Sequence, residues 1–431
     1  MRPRSLPVAL HLYRGAASAA GFLAPAWLGY RVRKGKEDPS RLAERRGIAS
    51  QPRPSGPLVW MHGASVGEII SLLPLAERLT VRGFTVLVTS GTLTSSRIAA
   101  ERMPKGAIHQ FVPLDALGFI RRFLDHWKPD LVLVAESELW PNLFCELGAR
   151  SVPLVLVNGR LSVRSAKRWG KLPLSARTLL SRIDLCLAQS AGDAARFRQL
   201  GAARVMNCGN LKFDVPPPGA ERKAFAEMAG AVRERPVFLA ASTHPGEDEQ
   251  VLEAHRMVAE RLPDLLTIIA PRHPERGPDI ATLAQEAGLE PALRSAGELP
   301  GPETAIYVAD TIGELGLFYR LAPVVFVGGS LVTHGGQNPI EPAKLGAALL
   351  HGPHVGNFTD VYDAIAEARG AIEVAEPVDL ARFAYGLLKD RAFRDATTAG
   401  AARAVAGLGG ALDRTLAAIE PYLVQIRLHG K

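Results

Sequence analysis

The sequence predicts an α/β protein built from two Rossmann-like domains, and three observations carry that prediction. Short Val- and Leu-rich runs alternate with helical patterns along the chain, as parallel strands buried on both faces alternate with crossover helices. The alternation falls into two blocks separated by the stiff segment Val215-Pro216-Pro217-Pro218-Gly219. At 431 residues the chain is also too long for one ordinary core. The predicted division is a leader over 1–53, a first Rossmann-like domain over 54–214 and a second over 215–431, with a cleft where the strand ends of the two domains face each other.

The leader is distinct in charge. Met1 to Arg53 holds 11 basic residues and 3 acidic ones, which accounts for the whole formal charge of +8. A nucleic-acid binder spreads its basic residues over a folded face, so this end-loaded charge argues against nucleic acid as a partner. Gly15 to Tyr30 is uncharged, preceded by Arg14 and followed by Arg31, Arg33, Lys34 and Lys36. Rich in Ala and Gly and containing Pro25, it falls short of the roughly 20 apolar residues that a spanning helix needs. The expected state is a monotopic or marginally spanning membrane anchor, its basic cluster on anionic headgroups at the cytoplasmic side. A signal peptide is the alternative, since Ala17-Ser18-Ala19 resembles a cleavage site, but Arg14 sits immediately before it. Cys145, Cys186 and Cys208 show neither a disulfide framework nor zinc spacing and read as core residues of a cytoplasmic protein.

The first block opens on LVWMHGASVGE, where an apolar strand over Leu58–His62 stops at Gly63 and an amphipathic helix starts at Glu68, with Ile69, Leu72, Leu73, Leu75 and Leu79 inward. Ligands of a doubly wound sheet bind beyond such strand ends. The turn lacks both G-x-G-x-x-G and the P-loop Gly-Lys-Ser/Thr. Gly63 to Gly67 fits the G-x-S-x-G nucleophile elbow, yet an elbow follows several earlier strands and only the leader precedes this one. A plain glycine turn with a capping serine explains Gly63, Ser65 and Gly67 but gives Glu68 no task.

Further strands are expected over Thr85–Thr89, Gln110–Pro113, Leu131–Ala135, Pro153–Asn158, Leu185–Gln189 and Val205–Cys208. Their following loops carry unusual chemistry. Ser90 to Arg97 is rich in hydroxyls, and Glu136 and Glu138 stand directly after a buried strand, where unpaired carboxylates are costly. A helix N-cap is their structural alternative. Arg160 follows the fifth strand and leads into Arg164, Lys167 and Arg168, a solvated face or a patch for an anionic lipid.

The second block expects strands over Val237–Ala241, Leu266–Ala270, Ile306–Ala309, Val324–Val327, Ala348–Leu350 and Ile372–Val374. Its loops are STHPGEDE from Ser242, PRHPER from Pro271, DTIGEL from Asp310, GGSL from Gly328 and HGGQNPIEPA from His334. Glycine-rich loops and helix starts expose N–H groups suited to a phosphate, and Glu341 is placed to accept ribose hydroxyls. His244, His273 and His334 raise the question of a metal, but no pair has the i, i+4 spacing of helical ligands.

HGASVGE, ESELWPN, NGRLS, GNLKFD, STHPGEDE, APRHPER, DTIGELGLFY and VGGSLVTHGGQNPIEPAKLG, in this order, resemble the motif set of the 3-deoxy-D-manno-octulosonic acid (Kdo) transferases of lipopolysaccharide assembly. The resemblance covers nearly the whole chain. It implies the GT-B glycosyltransferase fold, CMP-Kdo as donor and a lipid A precursor as acceptor at the cytoplasmic side of the inner membrane. It further implies inversion at the anomeric carbon with no cofactor and no required metal. Glu68 is then the expected base that takes the acceptor hydroxyl proton, and the helix N-terminus is expected to favour its ionised form. On the acceptor side the resemblance points to Ser65, Glu136, Glu138, Arg160 and Lys212. On the donor side it points to Ser242, His244, Arg272, His273, Gly313, Glu314, Gly329, Asn338 and Glu341. The rival readings are a membrane-tethered protein that binds a nucleotide or lipid without chemistry, and a glycosyltransferase using another nucleotide sugar.

Overall fold

The computed structural model describes residues 6–429; residues 1–5 of the leader and residues 430–431 lie outside the described residues. Two compact units divide the chain, one comprising Met1–Val215 with Gly409–Lys431 and the other Pro216–Leu408.

In the first unit the strands are β1 (Leu58–Gly63), β2 (Thr85–Ser90), β3 (Ile108–Phe111), β4 (Leu131–Ala135), β5 (Leu154–Gly159), β6 (Leu185–Ala188) and β7 (Val205–Asn207). All pair in parallel in the order β3-β2-β1-β4-β5-β6-β7, so the order reverses between β1 and β4. The helices are α1 (Val8–Arg33), α2 (Val66–Val81), α3 (Leu93–Arg102), α4 (Leu117–Trp127), α5 (Pro141–Ala149), α6 (Val163–Gly170), α7 (Pro173–Leu180) and α8 (Ala191–Gln199). Alternate residues of β1 serve opposite cores. Leu58 and Trp60 join Phe123, Phe144 and Phe197 on one face, while Val59 and Met61 join Ile69, Leu72 and Leu79 of α2 on the other. The third strand begins two residues before its expected start, because Ile108–Phe111 are the residues in register with Leu87–Ser90.

The second unit holds α9 (Arg222–Val232), β8 (Val237–Thr243), α10 (Asp248–Ala259), β9 (Leu266–Pro271), α11 (Gly277–Glu286), β10 (Pro291–Leu293), β11 (Ile306–Val308) and α12 (Leu315–Leu321). It continues with β12 (Val324–Val327), α13 (Ile340–Lys344), β13 (Ala348–His351), α14 (Thr359–Glu367), β14 (Ala371–Glu373), α15 (Pro377–Lys389) and α16 (Arg391–Leu408). Its parallel sheet runs β10-β11-β9-β8-β12-β13-β14, reversing between β8 and β12. The strand β10 escaped sequence reading because three residues at a sheet edge show no periodicity. The α/β expectation of two parallel sheets therefore holds.

The predicted domain limits need two corrections. The last helix, α17 (Ala411–His429), belongs to the first unit, where Leu416, Ile419 and Leu423 fill the core under α2. Asp214 fastens its start, accepting hydrogen bonds from Gly410 N at 2.7 Å and Leu412 N at 2.5 Å. The leader, likewise, is not a separate piece. Leu10, Ala24 and Leu28 of α1 are buried, the Tyr13 hydroxyl donates to Asp115 at 3.0 Å, and Arg14 pairs with Glu146 of α5 at 3.1 Å. Beyond α1, buried Glu37 pairs with Arg45, buried Glu44 accepts from Phe111 N at 2.7 Å, and Arg45 donates to the carbonyls of Val112 and Gly91. Residues 37–45 are thus the footing of β3 and of the loop after β2. The other side of α1 is open, with Val8, Leu12, Phe22, Leu23 and Tyr30 exposed. Among the described residues no helix is long and apolar enough to cross a membrane.

Candidate active site

In the first unit the turn after β1 and the loop after β4 meet at the reversal of strand order, where doubly wound sheets hold their ligands. Ser65 is the N-cap of α2, which begins at Val66, two residues earlier than the periodicity suggested, because the Ser65 hydroxyl already accepts from Glu68 N at 3.3 Å. Glu68 reciprocates. One carboxylate oxygen accepts from the Ser65 hydroxyl at 2.7 Å and the other from Ala64 N at 2.9 Å. The carboxylate therefore does have a structural task, holding the Ser65 cap and the amide just before it, which corrects the sequence argument that capping leaves it idle. Gly63 lets α2 pack closely on the end of β1, since a Cβ there would lie a tight 3.1 Å from Glu68 Cβ.

Burial raises the Glu68 pKa, the Ser65 and Ala64 hydrogen bonds lower it, and the charges of Glu136 and Glu138 raise it further. The net direction is upward, opposite to the expectation from the helix N-terminus alone: removal from water outweighs the helix end. A carboxylate so held binds a proton more readily than an exposed one, the quality a general base requires.

The acceptor-side residues are gathered here, one of them through its backbone. Glu136, in a left-handed conformation (φ 53°), pairs with Lys212 at 2.6 Å. Lys212 lies over the start of α2, its Cε 3.8 Å from where a Cβ on Gly67 would be. Asn158, also left-handed (φ 51°), accepts from Leu211 N at 2.9 Å and so ties NGRLS to the Lys212 segment. Glu138 accepts from Trp140 Nε1 at 2.6 Å. Arg160 contributes its N–H to the Glu136 carbonyl at 3.4 Å, but its side chain is exposed.

The second unit repeats the design at its own reversal, where the turn after β8 meets the loop after β12. Ser242 is left-handed (φ 58°) and packs its carbonyl against Gly328, where a Cβ would come within 2.6 Å. His244 stacks on His334 with ring centroids 4.0 Å apart, faces His273 at 6.1 Å, and has Gln337 Nε2 at 3.1 Å from its Nε2. Burial and the neighbouring His334, His273, Arg272 and Arg276 bring the His244 pKa down to about 4, so it is neutral at physiological pH. Arg272 and His273 are exposed, whereas Arg276 is engaged by buried Asp248. Asn338 Nδ2 donates to Glu341 at 3.2 Å, so these two are together.

Two of the expected donor-side residues are already engaged within the protein. Gly329 N does not offer itself to a ligand phosphate: fully buried Glu247 accepts from it at 2.7 Å and also from His244 N, Ser330 N and Leu331 N. An internal carboxylate thus already fills the nest of N–H groups. Glu314 is likewise engaged, paired with Arg294 at 2.6 Å and accepting from the Thr311 hydroxyl, and the Arg294 hydrogen bond holds its pKa below the ordinary value. With Gly313 it follows β11, which β9 separates from β8. Glu247 is the residue directly ahead of α10, whose N-cap it forms, and only its position at a helix start could have drawn attention to it. The stack of His244 with His334, residues distant in sequence, left no local signal.

The profile of the family described as 3-Deoxy-D-manno-octulosonic-acid transferase (kdotransferase) matches residues 40–215. The 3-deoxy-D-manno-octulosonic acid transferase of Haemophilus influenzae is 37% identical over 392 residues, covering 89% of this chain and 91% of that protein. The chain belongs to the Kdo transferase family. The Bordetella pertussis Kdo transferase is 38% identical, covering 88% of this chain and 90% of that protein. In fold, this Kdo transferase family member resembles a glycosyltransferase from Rickettsia africae, with a TM-score of 0.57 at 12% identity over 86% of this chain and 99% of that one. A putative UDP-N-acetylglucosamine 2-epimerase from Listeria monocytogenes gives 0.59 at 16% identity over 86% and 97%. At such identities the likeness speaks for the fold alone, the two-sheet GT-B architecture.

Proposed function

We propose that the chain is an inverting glycosyltransferase that moves Kdo from CMP-Kdo to a lipid A precursor of the lipid IVA type in lipopolysaccharide core assembly. The observation that carries this reading is the buried Glu68 carboxylate at the first turn of α2, in a chain of the Kdo transferase family. The acceptor hydroxyl oxygen attacks the anomeric carbon as the bond from that carbon to the CMP phosphate breaks, and the hydroxyl proton passes to Glu68. The leaving CMP keeps the bonding electron pair as a phosphate anion, for which the exposed Arg272 guanidinium and the His244, His273 and His334 cluster supply donors. Asn338 and Glu341 suit the ribose hydroxyls. Lys212, Glu136, Glu138 and Arg160 order the acceptor.

The exposed apolar side of α1 and the Arg31, Arg33, Lys34 and Lys36 cluster at its end support contact with an anionic membrane surface, at the cytoplasmic side of the inner membrane. The test incubates the purified chain with CMP-Kdo and a lipid A precursor and reads the lipid by mass spectrometry. The expected product gains one or more Kdo residues with release of CMP. A lipid left unmodified, together with thermal stabilisation by a different nucleotide and none by CMP, rejects the donor assignment.

A further inference from the structure

The residue just before Gly63 carries a feature that the base assignment does not use. His62 is fully buried in β1, level with Thr89 of β2, and its Nδ1 lies 2.9 Å from the Thr89 hydroxyl oxygen. That oxygen already accepts from Trp60 Nε1 at 2.9 Å, and an indole nitrogen only donates. Nδ1 also lies 3.2 Å from the Thr89 carbonyl oxygen, so both oxygens of Thr89 hold the ring. Among the described residues Nε2 has no hydrogen-bond partner. The ring meets Trp140 perpendicularly, with centroids 6.0 Å apart at 90°, the edge-to-face arrangement that aromatic pairs prefer. Trp140 in turn donates its Nε1–H to Glu138. An uninterrupted series of contacts thus runs from the sheet interior, through Trp60, Thr89, His62 and Trp140, to a carboxylate whose charge acts on Glu68.

We infer that His62 is a positioning residue for the transfer step: held by Thr89, it sets the Trp140 indole that keeps the Glu138 carboxylate at the Glu68 turn. This rests on Glu68 being the base. The groups acting on Glu68 are Ser65 and Ala64 as donors and Glu136 and Glu138 as charges, with Lys212 paired to Glu136. His62 itself stays neutral: burial outweighs the opposing Thr89 carbonyl contact and, with a smaller push from Arg45, brings its pKa down to about 4, so it adds no titration of its own in the working range.

The test is the pH profile of kcat/KM for Kdo transfer by the full chain, alongside melting temperatures. A base must be ionised, so the rate falls as pH drops through the Glu68 pKa, and the Glu138 charge places that acid limb at higher pH. Glu138→Gln is expected to move the limb to lower pH. His62→Phe, which keeps a ring, and Thr89→Val, which keeps the imidazole but removes the nearer of the two Thr89 oxygens that hold it, are expected to move it the same way. The double variant His62→Phe/Glu138→Gln is expected to move it no further than Glu138→Gln alone. A limb lost in Glu68→Gln but unmoved in Thr89→Val and in every folded His62 variant overturns the positioning role alone. A limb that persists in Glu68→Gln removes the base assignment, and this role with it.

Discussion

Glu68→Gln separates the two tasks that the structure gives to one carboxylate. The amide oxygen can still accept from Ala64 N, now at 2.9 Å, while the new NH2 group faces the Ser65 hydroxyl, which can accept in place of donating. Two charge-assisted contacts are exchanged for neutral ones, so the structural cost is about 1–2 kcal/mol, within the range of a helix cap. The chemical cost is of another order. Loss of a general base lowers the rate by about 10²–10⁴-fold, equivalent to roughly 3–5 kcal/mol of barrier. The measurement pairs mass-spectrometric turnover with a thermal melt and CMP calorimetry on the same sample. The reasoning requires a folded variant that binds CMP as before and turns over two or more orders of magnitude more slowly. Near wild-type turnover would refute it. So would a variant whose melt collapses, because the carboxylate would then be a cap first and its activity loss uninformative.

Ser65→Ala is expected to cost about 1 kcal/mol of stability and to shift the acid limb to higher pH, since the hydroxyl lowers the Glu68 pKa; an unmoved limb counts against the base, and complete inactivity revives the nucleophile elbow. Arg272→Ala is expected to weaken CMP binding by about 1–3 kcal/mol, read by calorimetry, and unchanged affinity would place the phosphate elsewhere. Burial raises the Asp115 pKa from 3.8 to about 6, so its contribution to stability is complete below 3.8 and is lost as pH rises through about 6. The stability lost by Asp115→Asn in urea unfolding should accordingly be greater at about pH 4 than at about pH 7, by up to about 3 kcal/mol, and a pH-independent difference contradicts this. Removal of residues 1–36 is expected to release the protein from anionic vesicles and also to lower its melting temperature, because Leu10, Ala24 and Leu28 go with it; an unchanged melt would show that α1 is not part of the fold.

Much of the architecture was legible because strand and helix periods are local. The run Leu58–His62, the Ser65 cap and the inward stripe of Ile69, Leu72 and Leu79 all lie within one stretch of chain, and each was readable there. Identities in the site were legible for a different reason, the ordered motifs. Their bonding was not. Whether Glu247 faces a ligand or the Gly329 loop, and whether Glu314 is free or paired with Arg294, depends on partners brought together only by the sheet. The same holds for Glu37 and Glu44, acidic residues in a basic leader that became buried anchors once β3 was in place. His62 was noticed only as the end of an apolar run, since nothing local announces Thr89 on one side and Trp140 on the other.

The attachment of α17 has a consequence for how the molecule is made. The core beneath α2 includes Ala411, Leu416, Ile419, Leu423 and Ile426, so it cannot close until those late residues leave the ribosome, although β1 to β7 have long been synthesised. Pro216–Leu408, by contrast, has every strand of its own sheet in one continuous piece and can fold as it emerges. The earlier-made unit is therefore the later-finished one. During translation its uncovered apolar face is a liability for aggregation, and a recombinant fragment ending near Val215 would carry that liability permanently. Co-expressing residues 409–431 as a separate peptide, with Asp214 present to receive the amides of Gly410 and Leu412, is the direct way to restore such a fragment to solubility.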